Sequence, residues 1–486
     1  MLDQGTCMAT MEREQESILR VGLLAPVKDL DPHGAWEFGR ALVVSQIFET
    51  PYALGSTSDT SPRLFVGPLL DEGTDPAGRP RYSASLDPRA RFSDGSPLEA
   101  EDILRSIERS RGLAGKAQLT LEGQRILFTL ERPNVRFDLA LASLDCAAVR
   151  EVNGTLIGTG PFMLHGSLNS EHIRLVRNPH HRPASRIEEI HIRTYLPEAD
   201  GTPQRLIEAV KNREVDFTNA MSREHMANLT GVRKHLEPGN STALLFFNTE
   251  RLADPALRRA IALSIDRSGI AGMFYKNPLA YTASGLLPSK LGGALDGLRY
   301  DPVAAKQTLD EVQGPIPRDL SLRVIWSPRT YLPKPQQVGE AIAGHLAEIG
   351  LNVRVDVLSG PEAFGRHIAT GQYDLYLGGW IADSPDPADF FESLLASHNI
   401  PRHGAGLTNH TNFSRWSHPE ADAAIDRLRS DGGHRSQAAI LRLVAEYVPV
   451  FPLLYGPATT IHSWRLQGFR MEAFGNPHFS TMHLRG

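Results

Sequence analysis

An arginine and an aspartate follow two strand-like stretches in the second half of the chain. Arg329 comes after Leu320–Trp326, in which apolar residues alternate, and Asp383 comes after Tyr373–Trp380. A guanidinium pairs well with a carboxylate and an aspartate with an ammonium group, so the two side chains could together hold a zwitterion. The alternative is that both are ordinary loop charges, paired with each other.

The elements around these residues predict that they lie on one edge of a sheet. Between the two strands the sequence predicts a helix that ends at Gly350, a strand with Val353, Val355 and Val357 on one face, and a short helix from Pro361 to Ala369. Strands separated by helices pair in parallel through right-handed crossovers. Ligands of such sheets bind beyond the carboxyl ends of the strands, which is where Arg329 and Asp383 stand.

The length of 486 residues predicts two or more domains. An apolar strand at Leu244–Asn248 indicates a lobe boundary, and the apolar segment Val450–Tyr455 indicates a return to the first lobe. We therefore expect one lobe from residues 21–245 and 456–486, a second from 246–455, and a disordered tail at 1–20.

A separate small sheet is predicted inside the first lobe. Arg81–Leu86 and Ile126–Leu130 have the pattern of strands. Between them Ser96-Pro-Leu-Glu99 has the form of a capping box, which predicts a helix with Pro97 at its first position.

Composition excludes several classes of protein. Hydrophobic residues make up 41% and charged residues 22%, as in soluble globular proteins. The net charge of -5 and the lack of a basic block argue against nucleic-acid binding, and no apolar run approaches the roughly 18 residues of a membrane span. Cys7 and Cys146 form no disulfide framework, and Cys146 is expected as a small core residue or a residue near the surface.

The first twenty residues carry four acidic side chains and no apolar run of a secretion signal or lipoprotein anchor. On the sequence as given we expect a cytoplasmic location.

Motifs for catalysis, metals and cofactors are missing from the sequence. It has no nucleophile elbow, zinc-binding helix, paired cysteines or phosphate loop, so we expect no enzyme, no metal site and no cofactor. The pair His180-His181 stands between prolines and is expected on a surface loop. His33 and Trp36 follow a predicted first strand and could line a cleft, with ordinary packing as the alternative. Trp380 could form an apolar wall of a site or be a core residue below the sheet edge.

A series of short motifs in a fixed order resembles the peptide/nickel-type solute-binding proteins of ABC transporters, the group that contains dipeptide- and oligopeptide-binding proteins. The resemblance covers nearly the whole chain after residue 20. Its motifs are Leu30-Asp-Pro32, Ile47-Phe-Glu-Thr50, Phe92-Ser-Asp-Gly-Ser-Pro97 with Glu101-Asp-Ile103, Gly158-Thr-Gly-Pro-Phe162, Asn178-Pro179, Glu214-Val-Asp216, Phe247-Asn-Thr249, Leu257-Arg-Arg-Ala-Ile261 with Ile265-Asp-Arg267, Tyr300-Asp-Pro302 with Ala305-Lys306, Gly371-Gln-Tyr-Asp374, Gly379-Trp380 and Pro385-Asp-Pro387.

The resemblance implies an α/β, two-lobed periplasmic-binding-protein-like fold of type II, with the ligand between the lobes. It also implies an extra subdomain in the first lobe, here at about 51–155. In dipeptide binders of this family, an arginine and an aspartate at the positions of Arg329 and Asp383 hold the carboxylate and the amino group of the ligand. With this match the zwitterion clamp becomes the favoured interpretation. The family also includes nickel-chelate and sugar binders.

The favoured function is therefore a monomeric solute-binding protein that encloses a small peptide or amino-acid-like zwitterion for uptake. An ABC-transporter permease is the partner that the resemblance implies, and an extracytoplasmic location is usual in the family. The alternatives are a cytosolic ligand sensor or pathway accessory on the same fold and, with less support, an enzyme on this scaffold.

Overall fold

The structure is a computed structural model. It describes residues 17–33, 38–55, 59–110, 112–198, 202–275, 279, 281–288, 291, 297–382, 384–402, 410–471 and 476–485. The chain divides into two compact units. Unit 1 contains Met1–Glu237 and Ala458–Gly486, and unit 2 contains Pro238–Pro457.

Unit 1 is built around a mixed sheet. Its helices are α1 (Phe38–Ile47), α2 (Ala100–Arg109), α3 (Phe137–Leu141), α4 (Gln204–Lys211) and α5 (Arg223–Ala227), with a short 3-10 helix at Leu144–Cys146. Its strands are β1 (Ile18–Leu23), β2 (Tyr52–Leu54), β3 (Thr60–Pro62), β4 (Leu70–Thr74), β5 (Pro80–Ser85), β6 (Ala117–Glu122), β7 (Arg125–Leu130), β8 (Val149–Val152), β9 (Thr155–Gly158), β10 (Phe162–Leu164), β11 (His172–Arg177), β12 (Glu189–Thr194) and β13 (Phe217–Thr218), and β14 (Val232–Phe247) continues into unit 2.

The main sheet of unit 1 has the strand order β10-β11-β12-β1-β13, and β1 pairs in parallel with β12 from Ile18 to Leu23. Leu19, Val21 and Leu23 are buried in the core of this unit. Their period of two places the apolar side chains of β1 on one face of the strand.

A second core in unit 1 belongs to the four-stranded antiparallel sheet β4-β5-β7-β6, whose members β5 and β7 cover the two strands predicted there. The start of the helix between these strands was predicted wrongly. Glu99, and not Ser96, is the N-cap, and it forms a capping box with Asp102 at the start of α2. The Ser96 hydroxyl instead donates a hydrogen bond of 2.6 Å to Asp94 Oδ1, and Pro97 stays outside the helix.

Unit 2 contains the elements that follow β14. Its helices are α6 (Pro255–Ser264), α7 (Arg267–Gly272), α8 (Pro302–Asp310), α9 (Pro335–Glu348), α10 (Pro361–Ala369), α11 (Pro387–Leu395), α12 (Pro419–Asp431) and α13 (His434–Tyr447), with a 3-10 helix at Ser397–Asn399. Its strands are β15 (Asp319–Val324), β16 (Asn352–Val357), β17 (Leu375–Ile381) and β18 (Val450–Ser463), the last of which continues into unit 1.

The sheet of unit 2 confirms the predicted parallel pairing. The strand order is β14-β17-β15-β16, and β15 pairs in parallel with both β16 and β17, whereas β14 pairs antiparallel with β17. Helix α9 ends as predicted, because Gly350 takes a φ of 82° just after it and closes the last turn. The carboxyl ends of β15 and β17 therefore lie side by side.

The last part of the chain completes unit 1. It contains the hairpin of β19 (Leu466–Gln467) with β20 (His483–Leu484) and a 3-10 helix at Phe479–Thr481. Leu466, Phe479 and Met482 are fully buried in the same core as β1. The rings of Phe479 and Phe217 meet edge to face with centroids 5.0 Å apart, so these late residues are integral to the packing of unit 1.

Two histidines stack where β14 and β18 run through unit 1. The His235 and His462 rings are 4.9 Å apart and nearly parallel, and their Nε2 atoms are separated by 2.9 Å. His462 is fully buried, and its Nδ1 lies 3.0 Å from the carbonyl oxygen of Ser463. Burial lowers the pKa of His462, and the nearby His235 and Arg233 lower it further, against the effect of the Ser463 carbonyl.

Candidate functional site

A pocket of about 290 Å³ lies within unit 2, at the carboxyl ends of β15 and β17. It is lined by Ile325, Trp326, Arg329, Tyr331, Phe364, Tyr376, Gly379, Trp380, Ile381 and Phe413. Of these ten described residues, Arg329 alone carries a charge and most of the others are aromatic. The pocket thus offers a cation in an apolar setting, close to the lower limit of size for a small-molecule site.

Arg329 is held by a tight turn directly after β15. Its backbone N–H and carbonyl exchange hydrogen bonds of 3.0 Å with Leu332. Its Nη1 donates to Ser327 Oγ at 2.7 Å, and its Cζ lies 5.7 Å from the centre of the Trp326 ring, within the range of a cation–π contact. These contacts fix a half-buried guanidinium at the edge of the pocket.

Two consecutive glycines make room for the tyrosines of the pocket. A Cβ at Gly378 would lie 2.5 Å from Tyr376 Oη, and a Cβ at Gly379 would collide with the Tyr331 ring. Because neighbouring residues in a strand face opposite ways, the two tyrosine rings lie on opposite faces of β17. Gly378 and Gly379 therefore shape the pocket by their lack of side chains.

Both tyrosine hydroxyls keep their protons. Burial raises the pKa of Tyr331, against the opposing effect of the nearby Arg329 charge. Burial also raises the pKa of Tyr376, well above its ordinary value, and the neighbouring Tyr331 adds to this rise whereas Arg329 opposes it. Each hydroxyl can therefore donate a hydrogen bond at neutral pH.

An aromatic cluster forms one wall of the pocket. The Phe364 ring from α10 meets Trp326 at 5.8 Å, Tyr376 at 5.6 Å and Phe413 at 5.4 Å between centroids. Tyr373 lies behind this wall and donates a hydrogen bond of 2.6 Å to the carbonyl oxygen of Phe413. The ring contacts of Phe364 and the hydrogen bond from Tyr373 hold this wall in place. The wall presents ring edges and faces to the pocket.

The structure brings together two of the five residues singled out in the sequence. Arg329 and Trp380 line the pocket, with Trp380 half-buried in β17 opposite Thr242. His33 lies in unit 1, where it is 7% exposed and its Nδ1 is 3.2 Å from Asp31 Oδ1. Asp383 and Trp36 lie outside the described residues.

The sequence analysis missed most of the aromatic wall. Tyr331, Phe364, Tyr376 and Phe413 come from four separate segments, and no local pattern links them. The one available signal was Tyr376-Leu-Gly-Gly-Trp380, because paired glycines in a strand often mark the close approach of another group.

The structure also bears on metal binding, membrane spans and the environment of Cys146. Among the described residues, no three His, Cys, Asp or Glu side chains are grouped so that they could hold a metal ion. None of the helices in the described part of the chain is long and apolar enough to cross a membrane. Cys146 is fully buried, and burial raises the pKa of its thiol. The expected cytoplasmic location depends on residues 1–20, most of which lie outside the described ranges, and stays a prediction.

Comparisons with known proteins agree with the resemblance stated above. The family model described as "Bacterial extracellular solute-binding proteins, family 5 Middle" matches residues 68–401. The chain is 27% identical over 348 residues to the "Peptide transport periplasmic protein SapA" of Haemophilus influenzae, which covers 68% of this chain and 58% of the relative. The matched part therefore spans about three fifths of that relative's length. The chain is 25% identical over 442 residues to "Di/tripeptide-binding protein 2" of Pseudomonas aeruginosa, covering 83% and 77%.

Solved structures show the same fold. HbpA2 from Haemophilus parasuis matches with a TM-score of 0.81 at 18% identity, over 96% of this chain and 100% of that chain. A dipeptide-binding protein from Pseudoalteromonas sp. SM9913, solved with Met-Leu, matches with a TM-score of 0.76 at 18% identity and the same coverage. The α/β periplasmic-binding-protein fold of type II is thereby confirmed. Because the family model matches more than half of its residues, the chain belongs to the bacterial extracellular solute-binding proteins of family 5.

Proposed function

We propose that this protein binds a short peptide or an amino-acid-like zwitterion for ABC-type uptake, and that Arg329 receives the carboxylate of that solute. The observation that carries the proposal is the pocket of unit 2, in which a single fixed guanidinium stands among aromatic side chains. Related proteins named for peptide transport and for di- and tripeptide binding support the class of solute.

The Arg329 side chain suits a carboxylate for a geometric reason. A guanidinium presents a planar fork of five N–H donors, and Nη1 already donates to Ser327 Oγ and weakly to the Pro328 carbonyl oxygen at 3.4 Å. The donors on Nε and Nη2 are left for the solute and the neighbouring Tyr331 hydroxyl. Charge-assisted hydrogen bonds of this kind are about twice as strong as neutral ones.

The other residues of the proposed site are those that the sequence analysis predicted as ligand contacts. Asp383 stands two residues after the end of β17 and would receive the ammonium group of the solute, while Trp380 provides an apolar wall. His33 and Trp36 are proposed as further candidate contacts of the solute. The proposal includes no chemical change to the solute, and an ABC-transporter permease is the proposed partner.

Mass spectrometry of solute released from purified, denatured protein tests this function. We expect a short peptide or an amino-acid derivative with a free carboxylate, whose mass is unchanged by incubation with the native protein. Calorimetry with Ala-Phe and its C-terminal amide then tests the site, because the amide has no carboxylate to pair with Arg329. Equal affinity for the two ligands would contradict the proposed role of Arg329, and an altered ligand mass would indicate an enzyme.

A further inference from the structure

The Tyr376 side chain is almost fully buried, and it lines the pocket of unit 2. Tyr376 is 2% exposed, and none of the residues that the structure describes provides a hydrogen-bond partner for its Oη. A hydroxyl that faces a pocket and makes no hydrogen bond within the protein can donate one to a bound ligand. Since the Tyr376 side chain lines the pocket near Tyr331 and Arg329, a ligand in that pocket can supply the missing acceptor.

The kind of acceptor follows from the charges nearby. The raised pKa of Tyr376 keeps its hydroxyl protonated, and the neighbouring charge is the positive guanidinium of Arg329. An anionic oxygen is attracted by both groups, whereas an ammonium group would be repelled by Arg329. A carboxylate held by Arg329 is therefore the group that Tyr376 is placed to bind.

The aromatic wall begins within one side-chain length of the Arg329 guanidinium, which holds the carboxylate. The Arg329 Cζ is 5.7 Å from the centre of the Trp326 ring, and Phe364 continues the wall at 5.8 Å from Trp326. Consecutive Cα atoms of a peptide are about 3.8 Å apart, so each further residue moves away from the carboxylate by that step. The side chain nearest to the wall is therefore that of the residue which bears the carboxylate.

We propose that the pocket selects solutes whose carboxylate-bearing residue has an aromatic side chain, such as short peptides ending in Phe, Tyr or Trp. Trp326, Phe364 and Phe413 contact the ring, and Tyr376 is a specificity-determining residue that donates to the carboxylate beside Arg329. This inference rests on the proposed function and adds the chemical class of the solute. Aromatic pairs prefer offset or edge-to-face contacts, which the clustered rings of the wall can provide.

Titration calorimetry of the full chain with Ala-Phe, Phe-Ala and Ala-Ala tests the selection. We expect Ala-Phe to bind about tenfold or more tightly than either of the other two, from the apolar area that its last side chain buries. The Phe364→Ala substitution should reduce the preference for Ala-Phe over Ala-Ala, and Phe274→Ala, a partly buried phenylalanine outside the pocket, should leave it unchanged.

The role of Tyr376 has its own readout. Tyr376→Phe should weaken Ala-Phe and Ala-Ala by a similar factor of about ten, because both peptides present the same carboxylate. Tyr300→Phe, at an exposed tyrosine away from the pocket, is the matched control. If Tyr376→Phe fails to fold by circular dichroism, the Phe364→Ala comparison still tests the selection.

Equal affinities for the three dipeptides would overturn the aromatic selection and leave the proposed peptide-binding function standing. An unchanged affinity in folded Tyr376→Phe would remove that residue from the site. Failure of all three dipeptides to bind would overturn the selection, and the mass spectrometry of released solute would decide separately on the proposed function.

Discussion

Replacement of Arg329 by alanine should weaken the binding of Ala-Phe by about one to two powers of ten. The substitution removes the one charged side chain among the described pocket residues, and with it the donors of Nε and Nη2. Hydrogen bonds to a charged group contribute roughly 1.5–3 kcal/mol. Each tenfold change in affinity corresponds to about 1.4 kcal/mol, which gives the expected factor.

The effect on folding should be small, because Arg329 is half-buried and makes no ion pair within the described residues. Arg329→Lys should recover only part of the affinity, since an ammonium group lacks the planar fork. Arg318→Ala is the matched control: this arginine is exposed, and its Nη1 is 3.3 Å from the Gly350 carbonyl oxygen, outside the pocket. Calorimetry at constant salt gives the dissociation constants. Wild-type affinity in a folded Arg329→Ala protein would refute the reasoning.

Three further predictions concern other residues. Asp383→Asn should weaken Ala-Phe but hardly affect its N-acetylated form, which has no ammonium group; equal losses in calorimetry would exclude the ammonium role. Since the folded state lowers the pKa of buried His462, the unfolded chain takes up the proton first as the pH falls, and stability should decrease below about pH 6.5. The melting temperature should fall less between pH 7.5 and 5.5 in His462→Gln than in wild type or in exposed His434→Gln. Phe479→Ala, at a fully buried ring, should cost about 3–5 kcal/mol of stability in urea unfolding, and a loss below 1 kcal/mol would contradict its core position.

Local patterns predicted the part of the fold that local forces determine. The alternation of Leu320, Leu322 and Val324 predicted β15, and the apolar spacing before Gly350 predicted α9. In both cases one face of the element is buried and the other is more accessible, so the burial pattern is visible in the sequence. Parallel pairing then followed from the intervening helix, and it predicted Arg329 and Asp383 on neighbouring strand ends; the structure describes Arg329 after β15 and Trp380 in the neighbouring β17.

The residues that line the pocket could not be predicted from local sequence patterns. Phe413 and Phe364 are nearly fifty positions apart and meet only after α10 packs beside β17. The start of α2 was misjudged because two residues that can cap a helix, Ser96 and Glu99, stand three positions apart. The sequence does not show which one pairs with the following turn, since that depends on side-chain contacts within the folded unit.

Unit 1 consists of two separate stretches of the chain, and this determines the order in which the protein can fold during synthesis. Domains generally fold as they leave the ribosome, the N-terminal one first. Here the core around β1 cannot close until Leu466, Phe479 and Met482 have been made, and these residues follow all of unit 2 in the chain. The unit that is begun first is therefore finished last, and its incomplete apolar face stays available to chaperones for as long as the ribosome is translating unit 2.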